Sequence, residues 1–204
     1  MDKKELTTII LAAIILALTV SFKKTDIFYS ALLSFLIIIP INILAKKIIG
    51  FHFETDVKTK FWTWYQFGIR KDMHFKSPIP MAWLPLILTL FTKGNLLWLG
   101  ILEFDIKAKT ERVAKRHGLY RFTQVTEWHM AWIAIWGLIA NLIFAIGGYI
   151  IGYELFAKLS IYFIAWNIIP LSRLDGSKIF YASRALWIAI FTITAITLGW
   201  GLII

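Results

Sequence analysis

The stretch WHMAWIAIWGLIANLIFAIGGYII, residues 128–151, decides the fold class of this chain. It contains no Lys, Arg, Asp or Glu, and its one amide side chain, Asn141, lies near the middle. A helix that crosses the hydrocarbon core of a bilayer needs about 20 predominantly apolar residues. The stretch therefore predicts a membrane-spanning helix.

Four more apolar stretches have a similar length. The chain of 204 residues is 59% hydrophobic and only 17% charged, whereas a soluble domain is about 45–50% apolar and about 25% charged. The first stretch lacks a small-x-small cleavage site, so we interpret it as a retained helix and not as a signal peptide. We predict one α-helical integral membrane domain over residues 1–204, with about five spanning helices at 6–22, 27–45, 128–151, 155–171 and 185–203.

A sixth apolar run, residues 80–102, is broken by Thr92-Lys93-Gly94-Asn95. If this run returns to the side from which it starts, the Lys and Arg residues outside the spans divide 18 to 3, with Lys93 at the tip. If it crosses once, they divide 10 to 11. Cytoplasmic loops carry the excess of Lys and Arg in membrane proteins. We therefore predict a re-entrant segment over residues 80–102 and a multi-pass protein of the cell membrane with a cytoplasmic N-terminus.

The net charge of +10 and the absence of cysteine limit the possible functions. No nucleic-acid-binding module is recognisable, and basic cytoplasmic loops that face anionic lipid account for the charge. The basic run 107–121 predicts a headgroup-binding surface, with recognition of an acidic partner protein as the alternative. Disulfides, thiolate zinc sites and cysteine nucleophiles are excluded.

Two segments alternate between apolar and polar residues, which is typical of strands with one buried face. In residues 51–67 one parity carries Phe51, Phe53, Val57, Phe61, Tyr65 and Phe67, and the other carries His52, Glu54, Asp56, Lys58 and Lys60. In residues 102–109, Leu102 and Phe104 alternate with Glu103 and Asp105. We expect the two segments to pair in a small sheet at the cytoplasmic membrane surface.

Polar side chains inside apolar runs are the candidate site residues, because burying them in a bilayer is costly. Asn42 follows Pro40 in the second span, and Asn141 lies in the third. Asn167 is the first and Asp175 the last but one residue of the run Asn167-Ile168-Ile169-Pro170-Leu171-Ser172-Arg173-Leu174-Asp175-Gly176.

That run resembles the NxxPxxxLDG motif of the site-2 protease family of intramembrane zinc metalloproteases. Gly137-Leu138-Ile139-Ala140-Asn141 is similar to the family's GPxxN segment, with Leu138 in place of the usual proline. The resemblance covers roughly residues 27–190, and the predicted strands are similar to the family's membrane-associated sheet. It implies a site-2-protease-like fold with Gly137, Asn141, Asn167, Pro170, Leu174, Asp175 and Gly176 as family-motif residues.

The resemblance also implies a zinc ion held by two histidines of an HExxH helix and by the LDG aspartate, here Asp175. This sequence departs from that pattern. Counting back from Ala45 and Gly50, Ile38 and Ile39 stand where His-Glu is expected, and Asn42 stands where the second His is expected. None of the four histidines is four residues from another. The expected catalytic residues are therefore missing, Asp175 is a vestigial ligand, and the chain resembles a pseudoprotease for which no cofactor is expected.

Other residues offer alternatives that stay open. Glu127 and His129 are two residues apart, so they face different sides of a helix, whereas His52 and Glu54 share a predicted strand face. Each has a structural interpretation as an interfacial group. The asparagines can equally form interhelical hydrogen bonds, Pro170 can end its helix, and Gly176 can lie near a helix C-cap.

Three functions from different classes follow. The first is a non-catalytic protein that binds transmembrane segments of partner membrane proteins, with an edge strand available for pairing. The second is an active metalloprotease with unusual zinc ligands, Asp175 with His129 or His52. The third is a transporter or lipid-handling protein, suggested by the broken run around Gly94, although no inverted repeat is evident.

Overall fold

The computed structural model describes residues 2–66, 74–109 and 125–203. The predicted basic run therefore lies mostly outside the described residues, as does Phe67 at the end of the first predicted strand segment. Helices and strands follow in the order α1 (Lys3–Ser21), a 3-10 turn (Thr25–Ile27), α2 (Phe28–His52), β1 (Thr55–Phe61), β2 (Thr63–Gln66), β3 (His74–Pro80), α3 (Leu84–Phe91), β4 (Leu102–Ala108), α4 (Glu127–Ile150), α5 (Glu154–Asn167), α6 (Asp175–Ala182) and α7 (Arg184–Ile203).

Four of the described helices are long and apolar enough to cross a membrane: α1, α2, α4 and α7. The expectation of a helical protein with several apolar spans is met at this level. The expected fifth span, residues 155–171, needs correction. Helix α5 has 14 residues and is about 21 Å long at 1.5 Å per residue, which is shorter than the hydrocarbon core. It ends at Asn167 because Pro170 disfavours helical backbone at the preceding residue.

The second helix is longer than predicted and shifts the start of the first strand. Helix α2 continues to His52 with Pro40 inside it, so the expectation that residues 51–52 begin a strand is wrong. Glu54 then adopts a left-handed backbone with φ of 54°, and β1 begins one residue later. His52 and Glu54 therefore do not share a strand face, as the alternation had predicted.

The predicted pairing of the two alternating segments is confirmed. Strands β1 and β4 are antiparallel, with Thr55 opposite Ala108 and Phe61 opposite Leu102. Strands β2 and β3 form a second, separate two-stranded sheet. The predicted alternation holds through β1, but Glu103 in β4 is buried where exposure was expected. Its carboxylate oxygens accept hydrogen bonds from the backbone N–H and the hydroxyl of Thr63.

Residues 80–102 begin and end beside the same part of the chain. Pro80 is paired with Thr63 and Leu102 with Phe61, so the segment returns next to its starting point; its re-entrant course in a membrane stays a prediction. Helix α3 lies within it, and at the tip Lys23 Nζ donates to Asn95 Oδ1 over 2.5 Å. Helix α1 rises about 24 Å from Glu5 to its last residue, Ser21, two positions before Lys23.

At one residue pair of the β1–β4 sheet, each outer edge forms a hydrogen bond with a charged side chain. Thr59 lies opposite Phe104, and its N–H donates outward to Glu5 Oε1 over 3.2 Å. Opposed residues of an antiparallel pair exchange both hydrogen bonds or neither, so the peptide groups of Phe104 point outward as well. Lys178 Nζ donates a hydrogen bond to the Phe104 carbonyl over 2.7 Å.

The buried apolar side chains form two main clusters that the sheet joins. One combines α1 and α2 with Leu99 and Ile101 of the segment 80–102. The other combines β1 and β4 with α4, the end of α5 and α6. The candidate site lies where α2, α4 and α6 meet beside the second cluster.

Candidate functional site

A buried ion pair lies at the centre of the candidate site. Lys46 Nζ of α2 is 2.6 Å from Asp175 Oδ2, the first residue of α6, and the two side chains are 8% and 1% exposed. Sequence reasoning found Asp175 but missed Lys46. Lys46 directly follows the apolar stretch 27–45 and was therefore counted among the loop cations, although the helix continues past it and buries it.

Gly137 of α4 makes room for the lysine stem. A Cβ atom at this position would lie 2.6 Å from Lys46 Cε and 3.0 Å from Asn42 Nδ2. Since real Cβ contacts are longer than that, a side chain at 137 would displace the lysine or separate α4 from α2. Gly137 is therefore a requirement of the close approach between these two helices.

Two buried asparagines lie one helical turn from these residues. Asn42 shares a face of α2 with Lys46, and Asn141 shares a face of α4 with Gly137, because residues four apart are neighbours on a helix surface. They are 3% and 1% exposed. Asn42 Nδ2, both amide atoms of Asn141 and Asp175 Oδ1 make no hydrogen bond to the described residues. A buried polar atom that stays unpaired costs about 1–3 kcal/mol, so this cluster offers both donors and acceptors to a polar group.

A second lysine, Lys178 of α6, lies on the sheet side of the ion pair. Its ammonium is 3.5 Å from the centre of the Phe104 ring, and Lys46 Nζ is 4.8 Å from the same centre. Burial lowers the pKa of Lys178 to about 8; the Asp175 carboxylate opposes the shift, and the charge of Lys46 adds to it. Two ammonium groups therefore lie beside one aromatic ring, and one of them is paired with the buried carboxylate of Asp175.

Gly176 positions Asp175 through a close backbone contact. A Cβ at residue 176 would lie 1.9 Å from the carbonyl oxygen of Ile168, so only glycine lets α6 pack against the end of α5. Gly176 lies in the first turn of α6, which corrects the interpretation as a residue near a helix C-cap. Leu174 precedes the helix and is fully buried.

The remaining family-motif residues do not join the ion pair. Asn167 Nδ2 donates to the Phe163 carbonyl of its own helix over 2.8 Å, and Pro170 is exposed in the connection between α5 and α6. Ile38 and Ile39 are buried in α2 and belong to the apolar cluster around α1. Their side chains have no polar atom and contribute only packing.

The residues at the site do not fit a zinc ion. Zinc is held by thiolate, imidazole or carboxylate ligands, and here an amide stands at 42 while an ammonium already occupies Asp175 Oδ2. Within residues 2–66, 74–109 and 125–203, no three His, Asp or Glu side chains lie close enough to hold a metal ion together.

The histidines of the alternative metal sites lie around Phe53. The His129 ring is 4.8 Å from the Phe53 ring and the His52 ring is 5.6 Å from it, both edge-on. His129 Nδ1 is also 2.5 Å from the Thr126 hydroxyl in the N-terminal cap of α4. Glu127 lines a cleft beside α6 instead, so Glu127 and His129 have different neighbours, as their spacing predicts.

A wide apolar groove of about 700 Å³ follows the seam between α2 and α4, away from the sheet. It begins at Ile37 and Ile143, within about two turns of Asn42 and Asn141. At Gly147 the groove wall is open, since an added Cβ would meet no atom within 4 Å. The other lining residues are Ser30, Leu33, Ser34, Phe144, Gly148, Ile151, Tyr153, Leu155 and Phe156.

No family model, curated protein or solved structure matches this chain. The resemblance to the site-2 proteases therefore rests on the chain's own residues.

Proposed function

We propose that this chain is a non-catalytic, site-2-protease-like membrane protein that binds transmembrane segments of partner membrane proteins. The observation that carries the proposal is the buried ion pair between Lys46 and Asp175. An ammonium group is bonded to the carboxylate that the family resemblance assigns to the metal.

The ion pair argues against catalysis on electrostatic grounds. A divalent cation could reach Asp175 only if Lys46 moved away, which would leave a buried ammonium without its partner. Removing one partner of a buried pair costs about 3–5 kcal/mol. The amide of Asn42 offers only a weak ligand in compensation, so the site favours its own lysine over a metal ion.

The groove and the polar cluster together fit an apolar helix with one locally unwound turn. The groove walls are almost entirely apolar and suit the side chains of a transmembrane segment. The unpaired amide atoms of Asn42 and Asn141 can bond the peptide N–H and C=O groups that unwinding frees. Peptide groups released in a membrane need such partners.

The groove is favoured over pairing with a sheet edge. At the Thr59–Phe104 pair both edges of the β1–β4 sheet already bond a charged side chain, Glu5 on one side and Lys178 on the other. A segment that added a strand there would have to displace one of them. We therefore place the bound segment along α2 and α4.

A photocrosslinking experiment tests this placement. A photoreactive phenylalanine analogue replaces Phe144 in the full-length protein, and crosslinking is carried out in native membranes. We expect an adduct with a membrane protein whose crosslinked peptide maps to a transmembrane segment, and Gly147→Leu should reduce its yield severalfold by filling the groove.

Gly199→Leu is the matched control, because an added Cβ at Gly199 also meets no atom within 4 Å and α7 does not line the groove. Equal yields in the two leucine variants, or adducts with lipid alone, would contradict binding in the groove.

A further inference from the structure

A second cleft, of about 240 Å³, opens between the start of α4 and α6. Unlike the groove, it has several polar side chains among its lining residues, and two of them are cationic. It lies beside Asp175, at the end of the fold that the charge distribution predicts to be cytoplasmic. The described lining residues are Glu127, Met130, Ser172, Arg173, Ser177, Lys178 and Tyr181.

Arg173 brings unused hydrogen-bond donors to this cleft. Its Nη1 is 3.7 Å from Glu103 Oε1, too far for a hydrogen bond, and its guanidinium lies over the Tyr65 ring at 4.7 Å. None of its five N–H groups is hydrogen-bonded to the described residues. A guanidinium presents its N–H groups as a planar fork that matches the oxygens of a phosphate.

Lys178 brings a second positive charge to the same side of the cleft as Arg173. Its Nζ donates to the carbonyls of Phe104 and Arg173, over 2.7 and 3.1 Å. An ammonium has three N–H groups, so one remains for a ligand. The two carbonyl bonds hold the ammonium in place before any ligand arrives.

The charge balance of the cleft favours an anion. Arg173 and Lys178 line it together, and the nearby carboxylate of Asp175 is bonded to Lys46. Glu127 is the one carboxylate among the described lining residues. The buried Glu103 carboxylate near Arg173 is shared with Lys60, so the positive charge is reduced but not cancelled.

We propose that the cleft between α4 and α6 binds an anionic phosphate group, held by the Arg173 guanidinium and the Lys178 ammonium. The phosphate is carried by a lipid headgroup at the membrane surface or is free in solution. A volume of about 240 Å³ holds one such group. The site does not require that the groove bind a transmembrane segment.

The experiment uses the full-length protein in phosphatidylcholine nanodiscs, with and without phosphatidic acid, and counts retained lipids by native mass spectrometry. Inorganic phosphate is titrated separately into nanodiscs of phosphatidylcholine alone. Because charge-assisted hydrogen bonds to the guanidinium are lost, Arg173→Gln should weaken binding of one of these probes about tenfold or more. Arg184→Gln, which removes an arginine outside the cleft, should leave binding unchanged.

Loss of phosphatidic acid retention in Arg173→Gln assigns the site to a lipid headgroup, and loss of inorganic phosphate binding assigns it to a free ion. If both probes bind the two variants equally, or bind neither the variants nor the wild type, the proposal is wrong. A second measurement needs no variant. Lysine NMR of the wild-type protein should show the pKa of Lys178 rising when the binding probe is added, and an unchanged pKa at saturation would also overturn the proposal.

Discussion

Replacing Lys46 by methionine should destabilise the protein strongly. Methionine keeps most of the length and the packing of the lysine stem but removes the ammonium, so Asp175 loses its partner. The two side chains are 8% and 1% exposed and their charged atoms are 2.6 Å apart. Because solvent screens such a pair very little, the loss should approach the value for a broken buried pair, about 3–5 kcal/mol.

The same substitution at Lys58 is the matched control. Lys58 pairs with Asp2 over 3.3 Å, but these side chains are 55% and 73% exposed. An exposed pair contributes about 0–1 kcal/mol. Lys46→Met should therefore lower the free energy of unfolding several-fold more than Lys58→Met.

The assay is reversible unfolding in mixed detergent micelles, followed by circular dichroism. The double variant Lys46→Met with Asp175→Asn should recover a large part of the loss, because it removes the unpaired charge. If Lys46→Met costs no more than Lys58→Met, the buried ion pair contributes nothing and the electrostatic argument for the site fails.

Three further predictions concern the same region. Gly176→Ala should lower the free energy of unfolding by at least about 1–3 kcal/mol, because its Cβ would overlap the Ile168 carbonyl. Gly199→Ala should leave it unchanged or raise it by up to about 1 kcal/mol. Unfolding experiments on both variants measure the difference. Zinc analysis of the purified wild-type protein and of Asp175→Asn should give far less than one ion per chain in both, and one ion in the wild type alone would restore the metalloprotease hypothesis. The unfolding free energy should rise between about pH 8 and 10.5, because Lys178 releases its proton near pH 8 in the folded state and near 10.5 when unfolded. Lys178→Met should flatten that rise, and an unchanged slope in this variant would contradict the prediction. Lys60 contributes only above this pH range, because hydrogen bonds to Asp105 and Glu103 together outweigh its burial and raise its pKa.

The periodic parts of the sequence predicted four long apolar helices and the pairing of two strands. Long apolar runs need no distant partner to form helices, and four of them became helices of sufficient length. The alternation in residues 51–67 and in residues 102–109 also predicted two strands that pair, because a period of two with one apolar face is typical of a strand. The predicted fifth span was too long, because Pro170 disfavours helical backbone at the residue before it and the helix ends at Asn167 despite the apolar composition that follows.

The buried charges of the site could not be predicted in the same way. Asp175 and Lys46 are separated by 129 positions, and nothing in either local sequence names the other. Glu103 obeyed the alternation in sequence but is buried because Thr63, Lys60 and Arg173 converge on it from other elements. Local patterns indicate that a polar residue is unusual, and only the tertiary structure shows what neutralises it.

The ion pair between Lys46 and Asp175 also limits how this protein could change in evolution or by design. Histidine at 38 and 42 with glutamate at 39 would restore the metal-binding pattern of the second helix, yet Asp175 would stay bonded to an ammonium. Replacing Lys46 first would leave a buried carboxylate alone, and placing histidines first would put them next to a cation. Any stepwise route to a metal site therefore passes through less stable intermediates, so the arrangement with the ion pair is a local optimum that single substitutions do not easily leave.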